Sequence, residues 1–180
     1  MGALIDALEH ELRCTPGVEV RTGHSVGALH ADDAGWVVDD LHADAVVLAC
    51  PAAAAARLLP DRAELATIST ADVILVTVAA EGGAWTRHAA GRSGYLVPKR
   101  AQGSVTAVSF AGRKWSRWQL PDGQELLRIS LGRDGLPVMH LDDDQVVHAA
   151  LTEVGAHVGA ELQARAIRIS RWPGAFTQYR

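Results

Sequence analysis

Few residues in this sequence could do chemistry, and most lack the neighbours that chemistry needs. Arg128 is the most pointed. If Glu125–Leu131 is a strand, alternation puts Leu127, Ile129 and Leu131 on one face and Leu126, Arg128 and Ser130 on the other. A planar guanidinium on a mixed face suits carboxylate recognition, and it would serve a structural ion pair equally well. The run Arg113-Lys114-Trp115-Ser116-Arg117-Trp118 interleaves cations with indoles. Such a run can hold a flat anionic ligand or make a solvated loop with two packed rings. Eight histidines raise the question of a metal. His24 and His30, which could share a strand face, have no Cys, His or carboxylate at ligand spacing, so no metal is expected. Asp142-Asp143-Asp144 lacks the glycine and distant glutamate of a calcium loop and is explained by helix capping. Cys50 has apolar neighbours, whereas a reactive thiolate needs an electropositive setting. No catalytic acid, base or nucleophile is assigned.

The chain that must position these residues has 180 of them, 48% apolar and 21% charged, which excludes disordered and fibrous classes. A net charge of −4 argues against a nucleic-acid surface. The most apolar stretch, residues 45–59, is interrupted by Pro51 and Arg57 and falls short of the roughly 20 residues of a transmembrane helix. Residues 3–12 carry acids rather than the basic start and long apolar stretch of a signal peptide, and two cysteines are too few for a disulfide scaffold. A reducing cytoplasm is the expected compartment. There is no G-x-G-x-x-G after a strand and no P-loop, so a self-contained dinucleotide enzyme is not expected. The chain enters a helical pattern at once and stops within structured sequence, which suggests a piece of something longer.

Leu4, Leu8 and Leu12 recur at helical spacing up to the turn signal Pro16-Gly17. Val18, Val20, Val26 and Ala28 alternate with polar residues; Asp32-Asp33-Ala34-Gly35 supplies a turn, and Trp36-Val37-Val38 returns as the second strand of a hairpin. Residues 45–50, Ala-Val-Val-Leu-Ala-Cys, read as a strand buried on both faces, followed by a helix from Pro51 to Leu59. Beyond Pro60 the expected strands are 73–78, 94–98, 105–110, 125–131 and 166–172, with a helix capped by the Asp142 run, along which Val146, Val147, Ala150, Leu151 and Val154 share one side. The class is α+β: residues 61–180 form a mixed β-sheet domain with covering helices, and residues 1–60 a separate helix, hairpin, buried strand and helix.

One series of segments runs in order through Gly2 to Leu12, Val18-Glu19-Val20 with Val26, and Ala43 to Ala52. It continues through Ser93-Gly94-Tyr95-Leu96-Val97-Pro98, Lys114-Trp115, Leu127-Arg128-Ile129-Ser130-Leu131-Gly132, Asp142-Asp143, and Arg171-Trp172 leading to Gln178-Tyr179. This succession resembles the central region of the flavin-dependent porphyrinogen oxidases, the protoporphyrinogen and coproporphyrinogen III oxidases within the amine-oxidase-like flavoproteins. Lys114-Trp115 and the Leu-Arg strand look most like the Gram-positive and actinobacterial branch. Arginine outnumbers lysine 15 to 2, a bias common in high-GC genomes, which agrees with that source.

The resemblance implies a role for each part. Residues 1–60 would be part of a split FAD-binding domain, with Val26 touching the adenine through its backbone; residues 61–180 would be the substrate-binding domain. The positions of Leu96 and Ser130 would contact the tetrapyrrole, and Ser93 would lie beside it. Arg128 is the strand-borne candidate for a propionate, with Arg92, Lys99 and Arg113 as loop alternatives. The parent would oxidise coproporphyrinogen III or protoporphyrinogen IX with FAD and dioxygen; this chain alone would be inactive and would not retain FAD. The small Ser93 and Ser130, Arg92 in place of glycine, and Thr177 in place of the proline of a Pro-Gln-Tyr motif depart from the family pattern. Two other functions fit the same residues: a porphyrin- or haem-binding module without oxidase activity, and a flavin amine-oxidase-like enzyme with another substrate. The first third, lacking partner strands, would expose apolar surface or pair with a second copy; peripheral membrane association is compatible with the resemblance.

Overall fold

The computed structural model describes residues 2–87 and 89–178 and, of Ala84, only the backbone. Tyr179 of the Gln178-Tyr179 motif therefore lies outside the described residues. The chain divides into two compact units, Met1–Thr67 and Ile68–Arg180. The expected boundary at residue 60 moves to 67 because Pro60–Thr67 winds into 3-10 turns that pack against the preceding helix.

In the first unit, helix α1 (Gly2–Cys14) forms as its apolar spacing predicts, but none of its residues is buried. Strands β1 (Leu29–Asp32), β2 (Gly35–Val38) and β3 (Leu41–Ala43) make a small antiparallel meander. The Asp32 carboxylate accepts the Ala34 N–H at 2.9 Å and closes the β1–β2 turn as the Asp-Asp-Ala-Gly tetrad predicts. Asp39, with φ at 54°, accepts the N–H groups of Gly27 and Ala28 at 2.9 Å each, which fixes the approach to β1. Helix α2 spans Ala52–Leu58, with Pro51 at its N-cap.

Two expectations for this unit differ from what is observed. Residues 45–49 adopt no regular secondary structure and join no ladder among the described residues, and Val47 is 90% exposed. A strand buried on both faces needs neighbours on both edges, and residues 2–67 supply none. For the same reason Val18 and Val26 stand about 40% exposed and the first strand begins only at Leu29.

The second unit contains β4 (Thr70–Ala80), β5 (Gly94–Leu96), β6 (Val105–Phe110), the single turn α3 (Ala111–Lys114), β7 (Glu125–Leu131), helix α4 (Asp143–Val158) and β8 (Ala164–Thr177). The strands form one sheet in the order β5-β6-β7-β4-β8. Every ladder is antiparallel, where a mixed sheet was expected. The α4 crossover joins β7 to β8, which run parallel to each other, but β4 lies between them, so no parallel ladder forms. The α+β class stands.

One face of this sheet packs under α4. Ile74, Val76 and Val78 of β4, Leu127, Ile129 and Leu131 of β7, and Val105 and Val108 of β6 are essentially inaccessible, as are Val146, Ala150 and Val154 of the helix. Asp142 caps α4 as expected: its carboxylate accepts the Gln145 N–H at 2.8 Å, while Gln145 Oε1 accepts the Asp142 N–H at 3.0 Å. Gly159, at φ 68°, ends the helix in the left-handed region that favours glycine. Glu153 fixes the helix to the sheet by accepting the N–H groups of Ser104 and Val105 at 2.8 and 2.9 Å.

Candidate functional site

The face of the sheet turned away from α4 is open, and the ladder registers show what stands on it. Residues paired across neighbouring strands share a face. One cross-strand row is Gly94, Ser109, Arg128, Thr77 and Arg168. The next is Leu96, Ala107, Ser130, Leu75 and Ser170. Beyond it Val73 pairs with Trp172. The rows are roughly 7 Å apart along the strands. The side chains are small or apolar in the middle and cationic at the first row.

A cavity of about 810 Å³ lies over this face. Val73, Leu75 and Ala107 contribute its apolar floor, Trp172 and Phe176 add aromatic surface, and Arg128 and Ser130 enter from β7. Lys99, which follows β5, and Arg133, which follows β7, line it beyond the second row. Arg133 is engaged by Gln102 Oε1 at 2.5 Å and by the Asp134 carbonyl at 2.6 Å. Neither Arg128 nor Lys99 has a carboxylate within salt-bridge distance among the described residues. This arrangement suits a broad, largely apolar ligand with acidic groups at its edges.

Of the four residues expected to hold substrate, Arg128 and Ser130 line the cavity. Leu96, 81% exposed, stands in the Ser130 row two strands away but lines a different cavity, the one that holds Arg92. Ser93 lies one residue before β5, where its carbonyl accepts the Phe110 N–H at 2.9 Å, and it does not line this cavity. Of the three loop cations expected as alternatives, Arg92, Lys99 and Arg113, only Lys99 reaches the cavity over the open face. Arg113 is committed to Glu125, at 2.6 and 3.0 Å, and to the Thr86 carbonyl. Arg92 lines a separate cavity of about 360 Å³ together with Tyr95, Phe110 and His157. There the Tyr95 hydroxyl lies 3.2 Å from His157 Nδ1, and burial pushes the phenol up to about 12. The expected cation–indole run splits up: Arg117 sits 5.5 Å over the Trp118 ring, an internal cation–π contact.

Sequence reasoning missed Phe176, which lines the cavity, and Thr77 and Arg168, which stand in the Arg128 row without lining it. The alternation of 166–172 was readable, but alternation alone does not say which parity faces the same way as Arg128; the ladder register decides that.

In the first unit, Val26 lines a groove of about 740 Å³ with Gly27, Val38, Val46 and Leu48. Its backbone N–H and C=O have no hydrogen-bond partner among the described residues. An apolar groove edged by an unpaired donor and acceptor fits a flat heteroaromatic such as adenine. The other chemistry needed to hold a dinucleotide, a glycine-rich turn at a helix N-terminus for the diphosphate, is not found in the sequence. No helix among the described residues is long and apolar enough to cross a membrane.

A profile of the flavin containing amine oxidoreductases matches residues 1–179. The chain belongs to that family. Among curated relatives, the coproporphyrinogen III oxidase of Mycobacterium tuberculosis is 32% identical over 156 residues, 81% of this chain and 33% of that protein. That of Propionibacterium freudenreichii is 31% identical over 99% of this chain and 34% of its own length. The chain thus spans about a third of the length of these relatives. Among solved structures, a candidate protoporphyrinogen oxidase from Exiguobacterium sp. 255-15 superposes with a TM-score of 0.80 at 26% identity, covering 99% of this chain and 40% of that one. Reduced UDP-galactopyranose mutase shares the fold at a TM-score of 0.68 and 12% identity.

Proposed function

We propose that these residues hold the tetrapyrrole in an FAD-dependent, oxygen-dependent porphyrinogen oxidase of haem synthesis. Residues 68–180 are the substrate-binding part; residues 1–67 belong to the FAD-binding part and present Val26 to the adenine. The observation that carries this is the open sheet face, with an apolar floor between Arg128 at one end and Lys99 at the other. Coproporphyrinogen III carries a propionate on every pyrrole and so meets cations at both ends. Protoporphyrinogen IX carries its propionates on one edge, and the geometry favours the former. The names of the actinobacterial relatives support the same choice.

When bound, FAD supplies the redox chemistry, taking hydrogens from the macrocycle in pairs and passing them to dioxygen. The residues of this chain bind and orient. Leu75, Val73 and Ala107 cover one macrocycle face and exclude water from it, Ser130 sits beneath the ring, and Arg128 and Lys99 fix its rotation through charge-assisted hydrogen bonds. No proton transfer is assigned to them.

The test is a titration of the purified chain with coproporphyrin III and with its tetramethyl ester, followed by porphyrin fluorescence. Saturable binding of the acid, weaker binding of the ester, and loss of affinity in Arg128→Ala are expected. Binding unchanged by Arg128→Ala, or no binding of either ligand, would contradict the assignment. The same sample should lack a stoichiometric flavin spectrum and should not generate peroxide with the porphyrinogen.

A further inference from the structure

β8 carries three arginines, and they differ in what they meet. Arg165 is paired with Glu81, and Arg171 Nη2 lies 2.6 Å from Asp143 Oδ1 at the start of α4. Arg168 has no carboxylate within salt-bridge distance among the described residues. Register places it on the open face, where Thr77 pairs with Arg128 on one side and with Arg168 on the other. Two ladder spacings separate the arginine backbones, roughly 10 Å. The ladder positions that share this face include Val73, Leu75, Thr77 and Ala79 of β4, Leu126 of β7, and Ala166 and Ser170 of β8, and none is acidic. At this spacing two solvated like charges are largely screened from each other. Asp134 lines the cavity, but no carboxylate lies within salt-bridge distance of either guanidinium among the described residues, so both forks are available to an anion.

We propose that Arg168 is a second carboxylate-binding residue of the site and that it works with Arg128 to grip two acidic groups on one edge of the ligand. This rests on the assignment of the open face as the porphyrin site and adds a residue to it. Two forks at that spacing, with a threonine between them, select a ligand whose neighbouring carboxylates diverge. A ligand with a single acid satisfies only one of them.

The alternative role for an exposed arginine on an edge strand is to discourage pairing with another chain. The two roles separate in titrations of the whole chain and its Arg168→Ala and Arg168→Lys variants with coproporphyrin III and its tetramethyl ester. A binding role predicts about five- to tenfold weaker binding of the acid by Arg168→Ala, partial recovery in Arg168→Lys, unchanged ester affinity, and an unchanged melting temperature. Unchanged affinity in Arg168→Ala, alongside a loss in Arg128→Ala, overturns the proposal and leaves the porphyrin assignment standing. Equal weakening for acid and ester also overturns it, as a structural effect. Failure of the unaltered chain to bind coproporphyrin III overturns both.

Discussion

The two units treat equally well-patterned apolar residues in opposite ways. In residues 68–180, alternation on four strands and a helical stripe on α4 meet face to face, and Ile74, Leu127, Ile129 and Val146 lose all contact with solvent. In residues 2–67 the patterns are as regular, yet only Val37 and Ala55 are buried, while Leu4, Ile5 and Leu8 remain more than half exposed. Burial of apolar area stabilises by roughly 25 cal/mol per Å², and that term appears only where a second surface is present. Periodicity therefore records the partner a segment is built for, whether or not the partner is within reach. The second unit holds its own partners, and the first does not.

The largest expected consequence concerns local stability. Amide hydrogen exchange on the whole chain should show β4, β7 and α4 protected by orders of magnitude more than α1 and residues 45–49. Equal protection in both regions would break the comparison. Next, Ile129→Ala should destabilise the second unit by about 2–5 kcal/mol. Leu8→Ala, at an exposed position, should stay within about 0.5 kcal/mol. Denaturant melts of the two variants would check both. A smaller effect, about 1 kcal/mol, is expected for Asp142→Ala, which removes the capping box of α4; the same melts would measure it.

Two further effects are confined to the extremes of pH, and they differ between the units. The Tyr95 phenol is raised to about 12 by burial, so the fold favours its neutral form. That contribution is complete below the ordinary value near 10 and fades as pH rises through 12. Tyr95→Phe should flatten the fall in stability of the second unit over that window. The Asp39 carboxyl is lowered, chiefly by the Ala28 and Gly27 N–H groups and less by His24. Its contribution is present above the ordinary carboxylate value of 3.8 and is lost as pH falls through the lower folded value. Asp39→Asn should remove this acid sensitivity from the amide signals of Gly27 and Ala28.

Most of the second unit was legible in the sequence because its signals are local. β6 and β7 begin and end where alternation placed them, and the Asp142 cap followed from its residue type. The strand expected at 45–50 was not, because a continuous apolar run states a preference for burial without naming a neighbour. The site was partly legible for a related reason. Arg128 and Ser130 share a strand and a parity, so alternation alone put them on one face. Arg168 lies 40 residues further along and reaches that face only through the register of β8 on β4, which no local pattern encodes.

Backbone amide chemical shifts of the chain, followed as coproporphyrin III is added, test the central claim most directly. Perturbations should concentrate on Leu75, Thr77, Ala107, Arg128, Ser130 and Ser170, with α4 and residues 2–67 little changed. Perturbations centred on the Tyr95 and His157 cavity, or on the Val26 groove, would contradict the assignment of the open sheet face as the tetrapyrrole site.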